Sequence, residues 1–464
     1  MALTISKPIA IKNRNKMKKH ILLVLAGLLM LSGCNLYKKY ESNVSVPENV
    51  MGNVADSQDT LSIGDLGWRD VFKDPKLQSL IETALVNNTD MRTAQLTIEQ
   101  AQNEVRSAKW GYAPTLSFSP SAAYNYQGRA GGYNVQIPVR ASWQLGIFGQ
   151  NRSKVRSAKA KLAYDEDYRQ AVQVDLAANV ANLYYSLVML DRQLAISEAT
   201  EILYQESYNT TQALFQAGTY NSPAVYEMQA SLEALRADIV DLRYSIAATE
   251  ASLCVLLAET PHHIDRSSFE QFEMPEQIHV GLPVRLLAAR PDVRMAERNM
   301  EIAYYTTQQA RQSFYPSLSL DGLFGLAGTF SALDLIGQAV GSLTQPILQG
   351  GQLTAQLRNA KAEQEKARLE FVQTLYNAGS EVYQYKKAIE TAEEKTSHID
   401  IRVNALQEAF SATTELMNHG STTYLEVLTA QESLLSAQLA QVDNRYEMVQ
   451  ALINLYTALG GFGK

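Results

Sequence analysis

The chain has little of what most enzymes need. Its 464 residues include two cysteines, Cys34 and Cys254, and six histidines, His20, His262, His263, His279, His398 and His419. None stands at a metal-ligand spacing. His262 and His263 are adjacent, so they point apart in most backbones. There is no Walker A run. The glycine-rich stretch Gly322–Gly328 follows a strand pattern and opens no helix, so it reads as flexible glycine rather than a phosphate loop. No nucleophile stands with a base and an orienting group. These absences leave no catalytic residue, no metal site and no cofactor to assign. The apolar run 21–31 is too short to span a bilayer as a mature helix.

What is present is repetition. Residues 91–259 and 293–461 carry one pattern twice, displaced by 202 positions without a gap. Asp90, Arg92, Ala94, Glu99, Pro114 and Leu116 recur as Asp292, Arg294, Ala296, Glu301, Pro316 and Leu318. Gly149, Gly218, Gln229 and Leu257 recur as Gly351, Gly420, Gln431 and Leu459. Two copies are too few for a solenoid, in which stacked neighbours close the core. Duplication of so large a unit suggests a ring in which each half fills an equivalent place.

The first 33 residues read as a signal peptide: Lys16, Lys18 and Lys19 precede the apolar run, which ends in Leu31-Ser32-Gly33-Cys34. Small residues before a cysteine resemble the lipobox of bacterial lipoproteins. That resemblance implies a covalent lipid of the palmitate type on Cys34 and an anchored N-terminus. Asn35 in second place agrees with delivery to the outer membrane. Removing residues 1–33 takes six basic residues and no acidic one, so 41 basic residues fall to 35 against 48 acidic, a net charge of −13. That balance argues against nucleic acid. Only Cys254 then remains as a thiol, in an apolar helical stretch, and reads as buried and inert.

Residues 34–74 are polar and read as a tether and equatorial segment. The first repeat, 75–260, opens with helical periodicity to about residue 112, ended by Gly111 and Pro114. A strand pair at 115–149 follows. Tyr133, Val135, Ile137, Val139, Ala141, Trp143, Leu145 and Ile147 alternate with mostly polar residues, the period-2 signal. The run 116–127 is a weaker strand interrupted by Pro120. A long helix is expected over 150–217, and a return helix over 222–259 after the turn at Gly218. Residues 261–287 read as an equatorial connection. The second repeat, 288–464, offers a helix, a strand pair at 317–350, a long helix at 352–417 and a return helix at 422–459 after Gly420. The alternation of its strands is poor, and they rest on the repeat. Leu435, Leu439, Val442, Tyr446, Val449, Ile453 and Tyr456 step 4-3-4-3-4-3, a coiled-coil seam. At 1.5 Å per residue each long helix reaches about 100 Å.

The strand count points to a pore. Lipid accepts strands only as a closed barrel. Four strands cannot close. Two chains give eight strands with a filled interior, and three give twelve with a lumen. The Tyr and Trp residues of 124–143 are candidates for an interfacial girdle.

At this point the residues resemble the TolC-like outer-membrane factors, specifically the NodT-type efflux lipoproteins. The segment 68–77 (WRDVFKDPKL) is similar to that family's opening signature, and 281–287 with 290–294 (GLPVRLL, RPDVR) to its inter-repeat signature. The resemblance covers everything after Cys34. It implies a mainly α fold with a small β part: a long antiparallel coiled-coil helical barrel plus four transmembrane strands per chain, in two tandem repeats, assembled as a trimeric α/β barrel. It implies an exit duct in the outer membrane whose helical tunnel extends into the periplasm. It also implies a periplasmic adaptor (membrane fusion) protein and an inner-membrane transporter of RND type as partners.

The family pattern places a closed periplasmic tip at the Gly218 and Gly420 turns. Counted from the glycine, Glu426 falls where the family has its first gate aspartate, Thr429 at the second, and Thr422 at the gate arginine. One acidic ring is kept and the arginine latch is absent. Glu227 of the first repeat stands at the Thr429-equivalent place, staggered from Glu426 by about one turn. Three Glu426 carboxylates around an axis would repel one another and favour cations. Closure is expected to rest on Leu425 and Leu428 packing as an iris. The rival reading is a lipid-tethered periplasmic coiled-coil adaptor or structural protein without a pore, which one helical hairpin would fit better than two.

Overall fold

The computed structural model describes residues 39–41, 63, 66–127, 130–269, 289–329, 331–419 and 421–461. Cys34, Gly420 and most of the 261–287 connection lie outside them. In chain order the elements are α1 (Trp68–Val71), α2 (Pro75–Asn87), α3 (Thr89–Trp110), β1 (Thr115–Phe118), β2 (Ser121–Gln127), β3 (Ala130–Leu145), α4 (Gln150–Gln216), α5 (Ser222–Leu257), α6 (Pro291–Gln312), β4 (Ser317–Thr329), β5 (Ala332–Thr344), α7 (Gln352–Asn418) and α8 (Tyr424–Ala458). The two long helices, α4 and α7, each have 67 residues. The fold is mostly helical with one small sheet.

The helical stretch expected from 75 to 112 is two helices. Asn88 divides them. Its Oδ1 accepts from the Asp90 and Met91 amides at 2.8 and 3.3 Å, capping α3, while its Nδ2 donates to the Leu256 carbonyl at 3.0 Å. Asparagine competes with the helix for backbone partners, and this one breaks it. The second repeat performs the same closure with other atoms. Arg290, 202 positions on, donates to the Ala458 carbonyl at 2.9 Å, and Asp292 accepts the Val293 amide.

The chain divides into two compact units. One comprises, of the described residues, 39–41, 106–127, 130–157, 303–329 and 331–363, and contains the sheet. Its strand order is β1-β3-β4-β5, all antiparallel, with β2 also paired to β3. β1 and β2 fill a single lane. Phe118 faces Val139 and Ser121 faces Gln136, so the register is unbroken across Pro120, which only lacks a donor. Four lanes therefore hold five strand segments. At the crossing of β3 and β4, a Cβ on Gly325 would lie 2.2 Å from the Ile137 carbonyl oxygen, so only glycine fits opposite Pro138.

The other unit comprises, of the described residues, 63, 66–105, 158–269, 289–302, 364–419 and 421–461. Its core is built from apolar helix stripes: Ile98 and Ala101 on α3, Val180, Tyr184 and Leu187 on α4, Leu253 and Leu257 on α5, and Leu452, Leu455 and Tyr456 on α8. Short segments are tied to these helices by polar bonds. Tyr184 donates to Asp74 at 2.5 Å and accepts from the Ser267 amide, and Tyr456 donates to the Leu66 carbonyl at 2.7 Å. Arg266 bridges Asp191 and Glu250, its side chain 7% exposed.

Candidate functional site

Two places organise the residues singled out by the sequence. The first is the sheet. Antiparallel register puts directly paired residues on one face. Leu116 and Phe118, then Tyr124 and Tyr126, then the odd positions 133–145 of β3, share a face with Leu318, Leu320, Phe324 and Leu326 of β4 and Leu333, Leu335 and Leu343 of β5. That face carries no charged residue. The opposite face holds Asn134, Gln136, Arg140, Ser142 and Gln144 with Ser317, Ser319, Asp321, Gln338 and Ser342. The second strand pair is therefore two-faced as well. Its poor sequence alternation arises because Gly322, Gly337, Ala339 and Gly341 occupy apolar-face places while Leu323, Ile336 and Val340 intrude on the polar one.

Aromatic rings stand toward both ends of the apolar face. Tyr124 and Tyr133 meet at 4.9 Å near the β2–β3 turn, and Trp143 donates to the Tyr112 carbonyl at 2.9 Å near the strand bases. Among the described residues, both outer lanes, β1/β2 and β5, pair on one side only. Among the described residues no helix is long and apolar enough to cross a membrane, a statement that does not bear on strands.

The second place is the pair of helical turns. Gly218 has φ +76°. The Thr219 amide bonds the Leu214 carbonyl and the Gly218 amide bonds Phe215, a Schellman closure that needs a left-handed residue. In the other turn the Ser421 amide bonds the Leu416 carbonyl at 2.9 Å, the same closure 202 positions on. Asn221 caps α5 through the Ala224 amide.

The proposed gate residues separate into distinct environments. Glu426 is exposed and accepts a hydrogen bond from the Thr422 hydroxyl. The Thr429 hydroxyl donates to the Leu425 carbonyl at 2.8 Å, within its own helix. Leu425 is 53% exposed. Leu428 is not available for an iris: it is 6% exposed and packs inside the chain with Tyr204, Met228, Leu232, Leu235 and Ile239. Helical spacing of three residues turns Leu425 and Leu428 toward nearly one side, but the neighbouring α4–α5 hairpin covers only the latter. Glu227 is bound across the two repeats, accepting from the Tyr424 phenol at 2.6 Å.

Tyr424 is the residue that sequence reasoning missed. Its ring meets Tyr220 edge-on at 5.6 Å, and hydrogen bonding to the Glu227 carboxylate, followed by burial, raises its phenol above the ordinary value. A signal existed. The repeat places Tyr220, Ser222, Ala224 and Glu227 against Thr422, Tyr424, Glu426 and Thr429, so the copies diverge where they meet.

Cys254 is buried and touches His262, with Sγ 3.5 Å from Nδ1. That nitrogen also lies 3.0 Å from the Thr260 carbonyl. Among the described residues no group of three or more possible metal ligands exists.

Comparison with known proteins places both features in one context. The family model described as "Outer membrane efflux protein" matches residues 80–259 and again 282–461, two matches 202 positions apart. The chain is 28% identical over 460 residues to the cation efflux system protein CusC of Escherichia coli, covering 95% of this chain and 98% of that one. It is 29% identical over 466 residues to the toluene efflux pump outer membrane protein TtgC of Pseudomonas putida, covering 96% of each. The solved structure of CusC superposes with a TM-score of 0.78 at 27% identity, over 92% of this chain and 98% of that chain.

Proposed function

This chain belongs to the outer membrane efflux protein family, and from that membership we propose that three copies close their sheets into one twelve-strand barrel. The barrel is the outer-membrane exit of a tripartite efflux pump. The chain is a passive channel component, located in the outer membrane with its helical tunnel in the periplasm. A periplasmic adaptor and an inner-membrane transporter of RND type complete the pump, and a lipid on Cys34 anchors the chain.

The observation that carries the assembly is the two-faced sheet with two open outer lanes. An uncharged apolar face suits lipid, a polar face suits a lumen, and open strand edges are not tolerated in a bilayer. From Tyr133 to Trp143 the strand rises about 33 Å, which at a tilt near 45° spans about 23 Å, the height of an outer-membrane apolar band. One chain supplies four lanes, and three chains are the fewest that enclose an open lumen. The relatives carry cations in one name and toluene in another at nearly equal identity, so cargo choice falls to the transporter.

Gating belongs to the helical tips. Tyr424–Glu227 ties the two hairpins of one chain, Glu426 forms an acidic ring, and Leu425 is the exposed apolar group at the constriction. Adaptor contact provides the free energy of opening.

The test is the detergent-corrected mass of the protein extracted from outer membranes. About three chain masses, with a heat-sensitive band, are expected. A monomer or dimer would end the open-barrel reading in favour of a tethered coiled-coil protein.

A further inference from the structure

The polar face of the sheet carries three charged residues among those described: Arg140 on β3, Asp321 on β4 and Asp334 near the tip of β5. Two of them lie at almost one level. Arg140 is paired in register with Leu323, and Asp321 with Ser142. Arg140 and Asp321 are thus diagonal neighbours, about 7–8 Å apart in an antiparallel ladder. They form no ion pair. Both carboxylate oxygens of Asp321 accept instead from serine hydroxyls, Oδ1 from Ser142 at 2.7 Å and Oδ2 from Ser319 at 2.9 Å. Ser319 is joined in turn to Ser342 of β5, Oγ to Oγ, at 2.7 Å. A serine ladder across three strands thereby fixes the carboxylate on the wall through neutral donors, without a direct ion pair.

Fixed charge on the wall of a water-filled passage biases which ions enter it. A carboxylate held by neutral donors keeps its full charge, and a guanidinium beside it supplies the opposite sign. We propose that Asp321 and Arg140 form an amphoteric selectivity ring within the strand-built part of the duct, separate from the helical tip. Asp321 draws cations and Arg140 draws anions. Their near balance lets the barrel pass solutes of either sign, as a conduit serving chemically mixed cargo requires. The proposal rests on the duct reading, because it takes the polar face as the lumen.

The experiment is reversal potential in planar bilayers across a dilute KCl gradient. Near 0.01 M salt the screening length is about 30 Å, so wall charges act across the lumen. Asp321→Asn keeps the side-chain shape and is expected to lower the cation-to-anion permeability ratio by about twofold or more. Arg140→Gln is expected to raise it by a similar factor. Asp321→Glu restores the charge and the original ratio. If both neutral variants conduct like the parent and leave the ratio unchanged, the ring does not exist and the duct stands. If the parent protein inserts but never conducts, the duct reading fails instead. A variant that fails to assemble leaves the decision to the other, since the two lie on different strands and predict opposite signs.

Discussion

The Tyr424 phenol donates to the Glu227 carboxylate across 2.6 Å, joining the return helix of the second repeat to that of the first. With the Tyr220–Tyr424 ring contact, the Gln431–Ser207 bond and the apolar cluster around Leu428, this bond holds the two tips of one chain together. It is exposed, so its worth falls below the usual range for a hydrogen bond to a charged group, to about 1 kcal/mol. Tyr424→Phe and Glu227→Gln are each expected to raise resting conductance in planar bilayers without adaptor. The phenol titrates above its ordinary value, so the donor is fully present below pH 10 and is lost as pH rises through the raised value. Conductance should therefore climb above about pH 10 in the parent and be flat there in Tyr424→Phe. Equal alkaline profiles would refute the latch.

Much of this was legible in the sequence for a physical reason: the repeat enforces it. Gly218 marks a turn because its left-handed closure, φ +76°, tolerates little else, and β3 reads as a strand because its apolar face is unbroken. Three things were hidden. Asn88 ends a helix inside a continuous apolar periodicity. The β4–β5 pair conceals its period behind glycines. The partner of Tyr424 lies 197 residues away in the chain, and no local pattern reports a tertiary bond. Leu428 failed for a related reason, since helical spacing fixes a direction and not what covers it.

The repeat also exposes a mismatch in backbone chemistry. Ala258 closes α5 in the left-handed region, φ 58°, where the second copy has Gly460 at φ +80°. A left-handed alanine costs about 1 kcal/mol. Ala258→Gly should raise the thermal transition of the assembled protein. Gly460→Ala should lower it by more, because the added Cβ would also stand 3.0 Å from that of Ala289. A loss of stability in Ala258→Gly would contradict the argument.

Arg266 clamps the segment after α5 by bonding Asp191 and Glu250, with Glu250 also meeting the His263 ring at 2.8 Å. Burial alone would raise the Glu250 carboxyl. The Arg266 bond and charge, the Ile264 amide and His263 outweigh it and leave the group below the ordinary glutamate value. Such a group adds stability above its unfolded value and loses it as pH falls through the folded one. Protease cleavage after α5 should thus accelerate from about pH 4.5 downward. Glu250→Gln should cleave fast even at pH 7, and Arg266→Ala should lose less than the about 3–5 kcal/mol of a fully buried pair, since Asp191 is 43% exposed. Identical cleavage of parent and Glu250→Gln at neutral pH would remove the clamp from consideration.

The two helical hairpins differ at the buried seam position Asn444. Asn444 of α8 donates to the Ala392 carbonyl at 3.0 Å and to the Thr396 hydroxyl at 2.9 Å on α7, while its Oδ1 has no partner among the described residues. The first repeat has Leu242, Leu190 and Leu194 at the matching places. A polar group in a coiled-coil seam lowers stability and fixes register. Asn444→Leu with Thr396→Val removes both polar groups while keeping the branched heavy-atom shape of each side chain. The pair should stabilise the second hairpin by about 1 kcal/mol through apolar burial and loss of the unpaired oxygen. Thr396→Val alone should destabilise it, since Asn444 then loses an acceptor. Hydrogen exchange along α7 and α8 reads this directly, slower in the double variant and faster in the single one. Were the double variant to exchange faster than the parent, Asn444 would be a net stabilising element of the second hairpin in spite of its unpaired oxygen.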